Sequence, residues 1–264
     1  FEKMIYCRNN AEIEKYKPMN YTIILPTLNE NGHIKDLITS IVKNFLKTKN
    51  NYEIIIVDDN STDGTVNTIR KYFQKNKKVR LFVRRKEKKN LAKSINLGIS
   101  KSKYANIIWM DADFQHPPQY IKNIFKYINK YDAIIFSRFL KKSVRYFDNK
   151  KSIKETNENQ SILFNKICNF LFYKDITDYT SGFLCIKKSG IKKFTLSGYY
   201  GEYFLSLITY CKKNNLKILE LPYKENFRKS GSSKTFGEIS IRYMILCVNY
   251  ALSIIKNYLI KFIN

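Results

Sequence analysis

Two carboxylates one residue apart, then an amide and two prolines, mark the run Trp109-Met110-Asp111-Ala112-Asp113-Phe114-Gln115-His116-Pro117-Pro118. Asp111, Asp113 and the Gln115 amide are hard oxygen donors suited to Mg²⁺ or Mn²⁺. Such an ion keeps several waters and also holds a substrate phosphate. Residues 105–110 just before the acids are apolar and read as a buried strand. The acids therefore stand at a strand's carboxyl end, where α/β sheets bind their ligands. Taken alone, an Asp-x-Asp pair is more often a solvated turn.

A second acidic strand end strengthens the case. Residues 53–57 form a β-branched run of the kind found in buried parallel strands. It runs into Asp58-Asp59-Asn60-Ser61-Thr62-Asp63-Gly64-Thr65, where Ser61, Thr62, Asp63 and Gly64 are turn and N-cap residues. Desolvating carboxylates costs free energy unless cations or donors meet them. Two such ends in one sheet therefore carry a stronger claim to function than either alone.

The elements that must position these acids alternate. Residues 21–25 read as a strand stopped by Pro26, and Pro26-Thr27-Leu28-Asn29-Glu30 reads as a loop. Ile34, Leu37, Ile38, Ile41, Val42 and Phe45 follow at helical spacing. After the strand at 53–57 come a helix with Val66, Ile69 and Phe73 on one face, a strand at 79–83 and a basic connection at 84–93. The next helix presents Leu91, Ile95 and Ile99, with Gly98 allowing close packing. Strand and helix in alternation, closed by the strand into Asp111, predict an α/β, doubly wound, mostly parallel sheet flanked by helices.

Further along, Pro118 suits a first helical turn, and a strand at 132–137 ends directly at Arg138. Residues 141–160 read as a mobile surface loop, 162–171 as a helix, and Tyr179-Thr180-Ser181-Gly182 as a turn before a strand at 183–186. A helix at 203–211 and strands at 216–222 and 223–227 follow. The segment Arg228-Lys229-Ser230-Gly231-Ser232-Ser233-Lys234 is either an ordinary basic loop or one whose amides, Arg228 and Lys234 close over a diphosphate. Residues 239–263 are largely apolar, but Lys256 and Lys261 argue against a full membrane span. An amphipathic helix lying in a membrane interface or docked on a partner fits better, with a buried core helix as the bland alternative.

The net charge of +26, from 48 Lys and Arg against 22 Asp and Glu, favours an anionic partner: a phosphorylated substrate, an acidic membrane face or nucleic acid. No zinc-finger or RNP pattern is present, so no nucleic-acid partner is expected. The five cysteines are odd in number and far apart, which predicts buried thiols in a reduced, cytosol-facing protein. The first residues show no secretory pattern, and a preceding piece is expected before Phe1.

In order, these motifs resemble the nucleotide-sugar glycosyltransferases of the GT-A fold. The nearest resemblance is to the dolichol-phosphate mannose synthase group of glycosyltransferase family 2, and it covers about residues 21–236. It is carried by Pro26–Glu30 (with Leu28 where the group usually has Tyr), Asp58–Thr65, Asp111–Pro118, Ser137-Arg138, Thr180-Ser181-Gly182-Phe183 and the 228–234 loop. The resemblance implies an N-terminal extension at 1–20, a GT-A domain at 21–236 and a membrane-associated helix at 237–264. It implies that Pro26, Glu30, Val57 and Asp59 hold the base and ribose, that Asp111 and Ala112 line the sugar-phosphate site, and that Asp113 and Gln115 ligate the metal. Arg138, Arg228 and Lys234 are then expected to meet the donor diphosphate or the lipid phosphate, with Asp111, Asp113 and Arg138 as the catalytic set.

The implied reaction is metal-dependent, inverting transfer of a hexose to a polyprenyl or dolichyl phosphate. GDP-mannose is the favoured donor and a UDP-sugar the alternative. The expected setting is the cytosolic face of a membrane, with a membrane-anchoring partner or an oligomer as further possibilities. A phosphate monoester is already ionised near neutral pH and needs no strong base. Of the two histidines, His33 and His116, the second is expected to organise its loop by hydrogen bonding. Trp109 is the only tryptophan, so the Gln-x-x-Arg-Trp motif of chain-extending synthases is missing. Two other readings stay open: transfer to a sugar hydroxyl, with Asp175, Asp178 or Glu202 as base, and a non-catalytic basic module binding membrane or RNA.

Overall fold

β-Branched residues at alternate positions place one set of side chains on each face of a sheet, and here both faces are covered. The computed structural model describes residues 17–85, 88–140, 143, 153–198, 201–226 and 241–262. Its strands are β1 (Asn20–Thr27), β2 (Asn51–Asp58), β3 (Val79–Val83), β4 (Asn106–Trp109), β5 (Ala133–Ser137), β6 (Leu184–Lys187) and β7 (Ile218–Pro222). They form one sheet of order β3-β2-β1-β4-β6-β5-β7. β6 runs antiparallel to both β4 and β5, and the other pairings are parallel.

The helices are α1 (Ile34–Leu46), α2 (Thr65–Phe73), α3 (Leu91–Lys101), α4 (Ile121–Tyr127), α5 (Ile153–Leu171), α6 (Tyr203–Lys213) and α7 (Ile241–Phe262). Ile23 and Leu25 of β1 face a layer containing Leu37 and Ile41 of α1 and Ile124 of α4. Ile24 faces the other layer, with Ile95 of α3, Cys168 of α5 and Leu207 of α6. Gly98 has a steric reason: a Cβ there would lie 2.5 Å from Ile24 Cγ2. Any larger residue would therefore push α3 off β1. Cys168, Cys185 and Cys211 are buried free thiols.

Several boundaries differ from the sequence reading. β1 continues through Pro26, which pairs with Val57, to Thr27. The Ile24 carbonyl points to the β4 side, where it accepts from Met110 N–H. Pro26, two residues on, presents its missing donor to that same side, and the β4 ladder has already stopped at Trp109. Residues 153–160, expected in a surface loop, form the first turns of α5, whose remaining length packs on the second layer. Residues 223–226 are not a strand beyond an isolated bridge at Lys224, because the chain turns there across the loop after β4. Among the described residues no helix is long and apolar enough to cross a membrane.

Candidate active site

The sheet order places the switch point at β1, whose two neighbours, β2 and β4, lead to opposite halves of the sheet. A crevice opens at the carboxyl ends of strands at such a point. The loops after β1, β2, β4 and β5 all leave from that edge. The antiparallel β6 enters there, bringing Thr180, Ser181 and Gly182 beside them.

The β1 and β2 loops are laced together. Asn29 N–H donates to Ser61 Oγ (2.8 Å), Thr62 N–H to Asn29 Oδ1 (2.9 Å), Asn31 N–H to Asp63 Oδ2 (2.9 Å) and Glu30 N–H to Thr65 Oγ1 (2.8 Å). Asn29 and Asn60 adopt left-handed backbone angles, φ 54° and 61°, which asparagine tolerates at tight turns. The buried Glu30 carboxylate meets His33 Nε2 at 2.7 Å.

The adjacent acids after β2 divide their work. Asp58 is fully buried and accepts Ser61 N–H (2.8 Å) and Ser61 Oγ–H (2.6 Å), which shapes the turn. Asp59 accepts Arg84 Nη1 on Oδ1 (2.6 Å) and Asn90 N–H on Oδ2 (2.6 Å), so it ties the start of α3 to β2. Burial raises the Asp59 pKa, opposed by the Asn90 amide and the Arg84 charge. Val57 is wholly buried between Pro26 and Phe82 in the ladder, so it supports the crevice from below.

After β4 the chain makes a compact turn. Phe114 takes φ 68°, and Gln115 N–H donates to Asp113 Oδ1 (2.9 Å). Asp113 is buried, whereas Asp111 is about half exposed, with 46% of its side chain accessible. Asp111 N–H donates to His116 Nδ1 (2.9 Å), which requires a neutral ring with its proton on Nε2. His116 stacks on Phe183 of the segment entering β6, with ring centroids 5.1 Å apart. Gln115 O accepts Asn226 N–H (3.1 Å), which closes the turn from the β7 side. Gly182, at φ 69°, leaves open the space between the Asp111 carboxylate and the His116 ring. A Cβ there would sit 3.9 Å from Asp111 Oδ1 and 3.6 Å from His116 Cε1.

Burial depresses the His116 pKa from about 6.5 to about 4, the chief cause being loss of solvent around the charged ring. The unfolded chain therefore binds the extra proton between those values. Stability is complete above about pH 6.5, falls as pH drops to about 4, and is then flat with respect to this group. The total loss is about 3 kcal/mol. Denaturant titrations across that range should show the slope, and His116→Gln should flatten it.

Arg138, directly after β5, is locked by Asp178. Nε donates to Asp178 Oδ2 (2.9 Å), Nη2 to Asp178 Oδ1 (2.9 Å) and to Thr180 Oγ1 (2.7 Å), and the Arg138 N–H adds a bond to Oδ2 (3.0 Å). Desolvation resists charge on both groups. Their mutual attraction wins, holding the Asp178 pKa low and the Arg138 pKa high. Asp178 N–H and Thr177 are in turn gripped by Glu220 of β7. Among the described residues, the guanidinium's hydrogen bonds run through Nε and Nη2, so its Nη1 edge carries none.

The described chain thus gathers Pro26, Glu30 and Asp59 on one flank of β1, and Asp111, Ala112, Asp113, Gln115 and Arg138 on the other. Arg228 and Lys234 lie outside the described residues.

The glycosyl transferase family 2 profile matches residues 22–195, which include the loops after β1, β2, β4 and β5 and the segment entering β6. The chain belongs to that family. Among its curated relatives, a dolichol-phosphate mannosyltransferase of Pyrococcus furiosus is 28% identical over 86% of this chain and 62% of its own length. A protein of the same name from Mycosarcoma maydis is 26% identical over 84% of this chain and 76% of its own length. The chain thus spans less than two thirds of the archaeal relative. Glucosyl-3-phosphoglycerate synthase of Mycobacterium tuberculosis, solved with Mg²⁺ and UDP, superposes with a TM-score of 0.70 at 12% identity, covering 97% of this chain and 85% of that one. Its complex with Mn²⁺ and UDP-glucose gives 0.68 at 12% identity, over 94% and 83%. At that identity the likeness is one of fold, and it agrees with the GT-A reading.

Within this family 2 site, the sequence reading missed the braces. Arg84 appears there only as part of a basic connection, and Glu220 only as a strand residue. Their partners lie 25 residues away, for Arg84 and Asp59, and 42 to 43 away, for Glu220 with Asp178 and Thr177. No local pattern announces such a pairing.

Proposed function

We propose that this chain transfers a hexose, mannose from GDP-mannose, with inversion to a polyprenyl or dolichyl phosphate at the cytosolic face of a membrane. The segment 237–264, which contains α7, would act as the membrane-associated element. The relatives' names support the mannosyl group and the lipid-phosphate acceptor. The observation that carries the acceptor class is the state of the three carboxylates that a hydroxyl acceptor would need. Asp178 is saturated by Arg138 and Thr180. Asp175 is paired with Lys212. Glu202 is buried beneath Gly198, whose Cβ position lies 2.9 Å from Oε1. A phosphate oxygen needs none of them as base.

Among the described residues no three His, Cys, Asp or Glu side chains cluster closely enough to hold an ion by themselves. The donor set nonetheless fits Mg²⁺ or Mn²⁺. Asp113 and Gln115 supply hard oxygens on one turn, and an ion of this kind would take its remaining ligands from water and diphosphate. When bound, the ion would supply positive charge to the leaving diphosphate.

The chain's own residues do the rest. Pro26, Glu30 and Asp59 bound the nucleoside end, and Asp111 and Ala112 bound the sugar-phosphate. Arg138, held rigid by Asp178, offers Nη1 to a phosphate oxygen at no cost in reorganisation. The acceptor oxygen attacks the anomeric carbon from the face opposite the diphosphate. The new C–O bond forms as the bond to the nucleoside diphosphate breaks. Arg228 and Lys234 would add cationic contacts.

Labelled GDP-mannose and UDP-hexoses offered with polyprenyl phosphate test this reading. The expected product is an organic-soluble mannosyl lipid, absent with chelator. Label appearing only on a glycan hydroxyl would reject it.

A further inference from the structure

Helix α5 has two apolar faces, and among the described residues only the inner one is packed. On the inner face Cys168 is buried in the second core layer. Asn165 bolts this face to the loop that holds Arg138: its Oδ1 accepts Tyr179 N–H (2.6 Å) and its Nδ2 donates to Thr180 Oγ1 (3.0 Å). On the outer face Leu163, Ile167 and Phe170 recur at helical spacing, and Phe170 is 81% exposed. Helix α7 repeats the pattern. Asn257 is buried, donating to Ser206 Oγ of α6 (3.1 Å), while Leu252, Ile255 and Leu259 are each more than half exposed. Phe172, one residue past the end of α5, meets Tyr258 of α7 edge-on. Ile254 packs on the same core layer as α5, so both bare rows lie on the same side of the sheet.

Two adjacent helices with exposed rows of large apolar residues mark an interaction surface. Its charge selects the occupant. Residues 161–172 contain Lys166 and no acid, and residues 241–262 contain Arg242, Lys256 and Lys261 and no acid. Cations alone accompany the exposed rows, since Glu155 and Glu158 of α5 come more than a turn before Leu163; with the chain's net charge of +26, this matches the headgroup–acyl boundary of an anionic bilayer.

We infer that α5 and α7 together form a membrane-docking platform, with the outer row of α5 inserting into anionic lipid and Asn165 linking that surface to the Arg138 pocket. This deepens the reading of a membrane-borne acceptor and rests on it for its purpose: the lipid phosphate would meet Arg138 next to the plane in which its tail is anchored. The assignment of α5 extends the membrane contact beyond the C-terminal helix.

The test is co-sedimentation of the full chain with vesicles of phosphatidylcholine containing phosphatidylglycerol, without nucleotide or acceptor. Failure of the transfer reading therefore leaves its outcome untouched. Leu163→Ser/Phe170→Ser should lower vesicle partitioning by on the order of a hundredfold, as expected for losing two inserted large side chains. Its denaturant midpoint should match the parent's, because both positions face outward. In a Phe170→Trp variant, brominated lipid should quench the new indole, while Trp109, buried in the core, stays unquenched. Undiminished vesicle binding by the double variant, or an unquenched indole in vesicle-bound Phe170→Trp, would overturn the inference. So would a self-associated parent that ignores vesicles and that the double variant dissociates.

Discussion

Asp113→Asn should lower hexose transfer by roughly 10²–10³-fold while leaving the unfolding midpoint nearly unchanged. The turn explains the separation. Asp113 Oδ1 accepts Gln115 N–H at 2.9 Å, and an asparagine oxygen can accept the same bond. What disappears is one negative charge at a buried position, and with it the hard ligand proposed for the divalent cation. The variant should regain part of its rate at high Mn²⁺ concentration. Steady-state assays at graded Mn²⁺, beside a denaturation curve, read both halves of the prediction. A variant with parental activity would remove Asp113 from the metal role.

The largest stability effect should come from Asp178→Ala. Asp178 is fully buried and accepts from Arg138 N–H, Nε and Nη2 and from Thr180 N–H. Its loss leaves a guanidinium that is mostly buried, at 16% side-chain exposure, without its counter-charge. Breaking such a pair by removing one partner costs about 3–5 kcal/mol. Chemical denaturation should show a loss of that size, with transfer abolished as well because Arg138 is no longer oriented. The double substitution Arg138→Met/Asp178→Asn should recover most of the stability, since no buried charge is left unpaired and the asparagine oxygen can still accept backbone N–H bonds of Arg138 and Thr180. It should recover no activity. That split separates what the pair does for the fold from what Arg138 does for phosphate. The lowered Asp178 pKa adds a pH signature: the pair's contribution is present above the ordinary carboxylate pKa and is lost as pH falls through the depressed one.

Much of this architecture is legible in the residues, because buried parallel strands advertise themselves as short β-branched runs. Ile54-Ile55-Ile56-Val57 and Ile107-Ile108-Trp109 are such runs, and each hands the chain to an acidic turn. Gly98 likewise signals the tight crossing of α3 over β1. The antiparallel insertion of β6 between β4 and β5 is different. It brings Trp109 opposite Leu184 and Ile135 opposite the same Leu184, a long-range pairing with no local signature. The start of α5 was hidden because its first turns are polar, and apolar periodicity begins only where the helix meets the core. Asp58 and Asp59 look alike in sequence. They part company in space because successive residues at a strand end point to opposite faces, one toward the Ser61 turn and one toward Arg84. His116 shows how far spacing alone can reach. Its position next to Pro117 suggested a loop organiser, but its acceptor role toward Asp111 N–H and its stacking on Phe183 are tertiary facts.

In the proposed reaction a divalent cation held by the turn after β4 would bind a nucleoside diphosphate gripped from the β1 and β2 loops. Titration calorimetry of GDP into the full chain, with Mn²⁺ or with chelator, for the parent and for Asp113→Asn, tests that most directly. The predicted result is binding by the parent only when Mn²⁺ is present, and binding weakened at least tenfold in the variant. GDP affinity that is the same with chelator as with Mn²⁺, and the same in Asp113→Asn as in the parent, would contradict it.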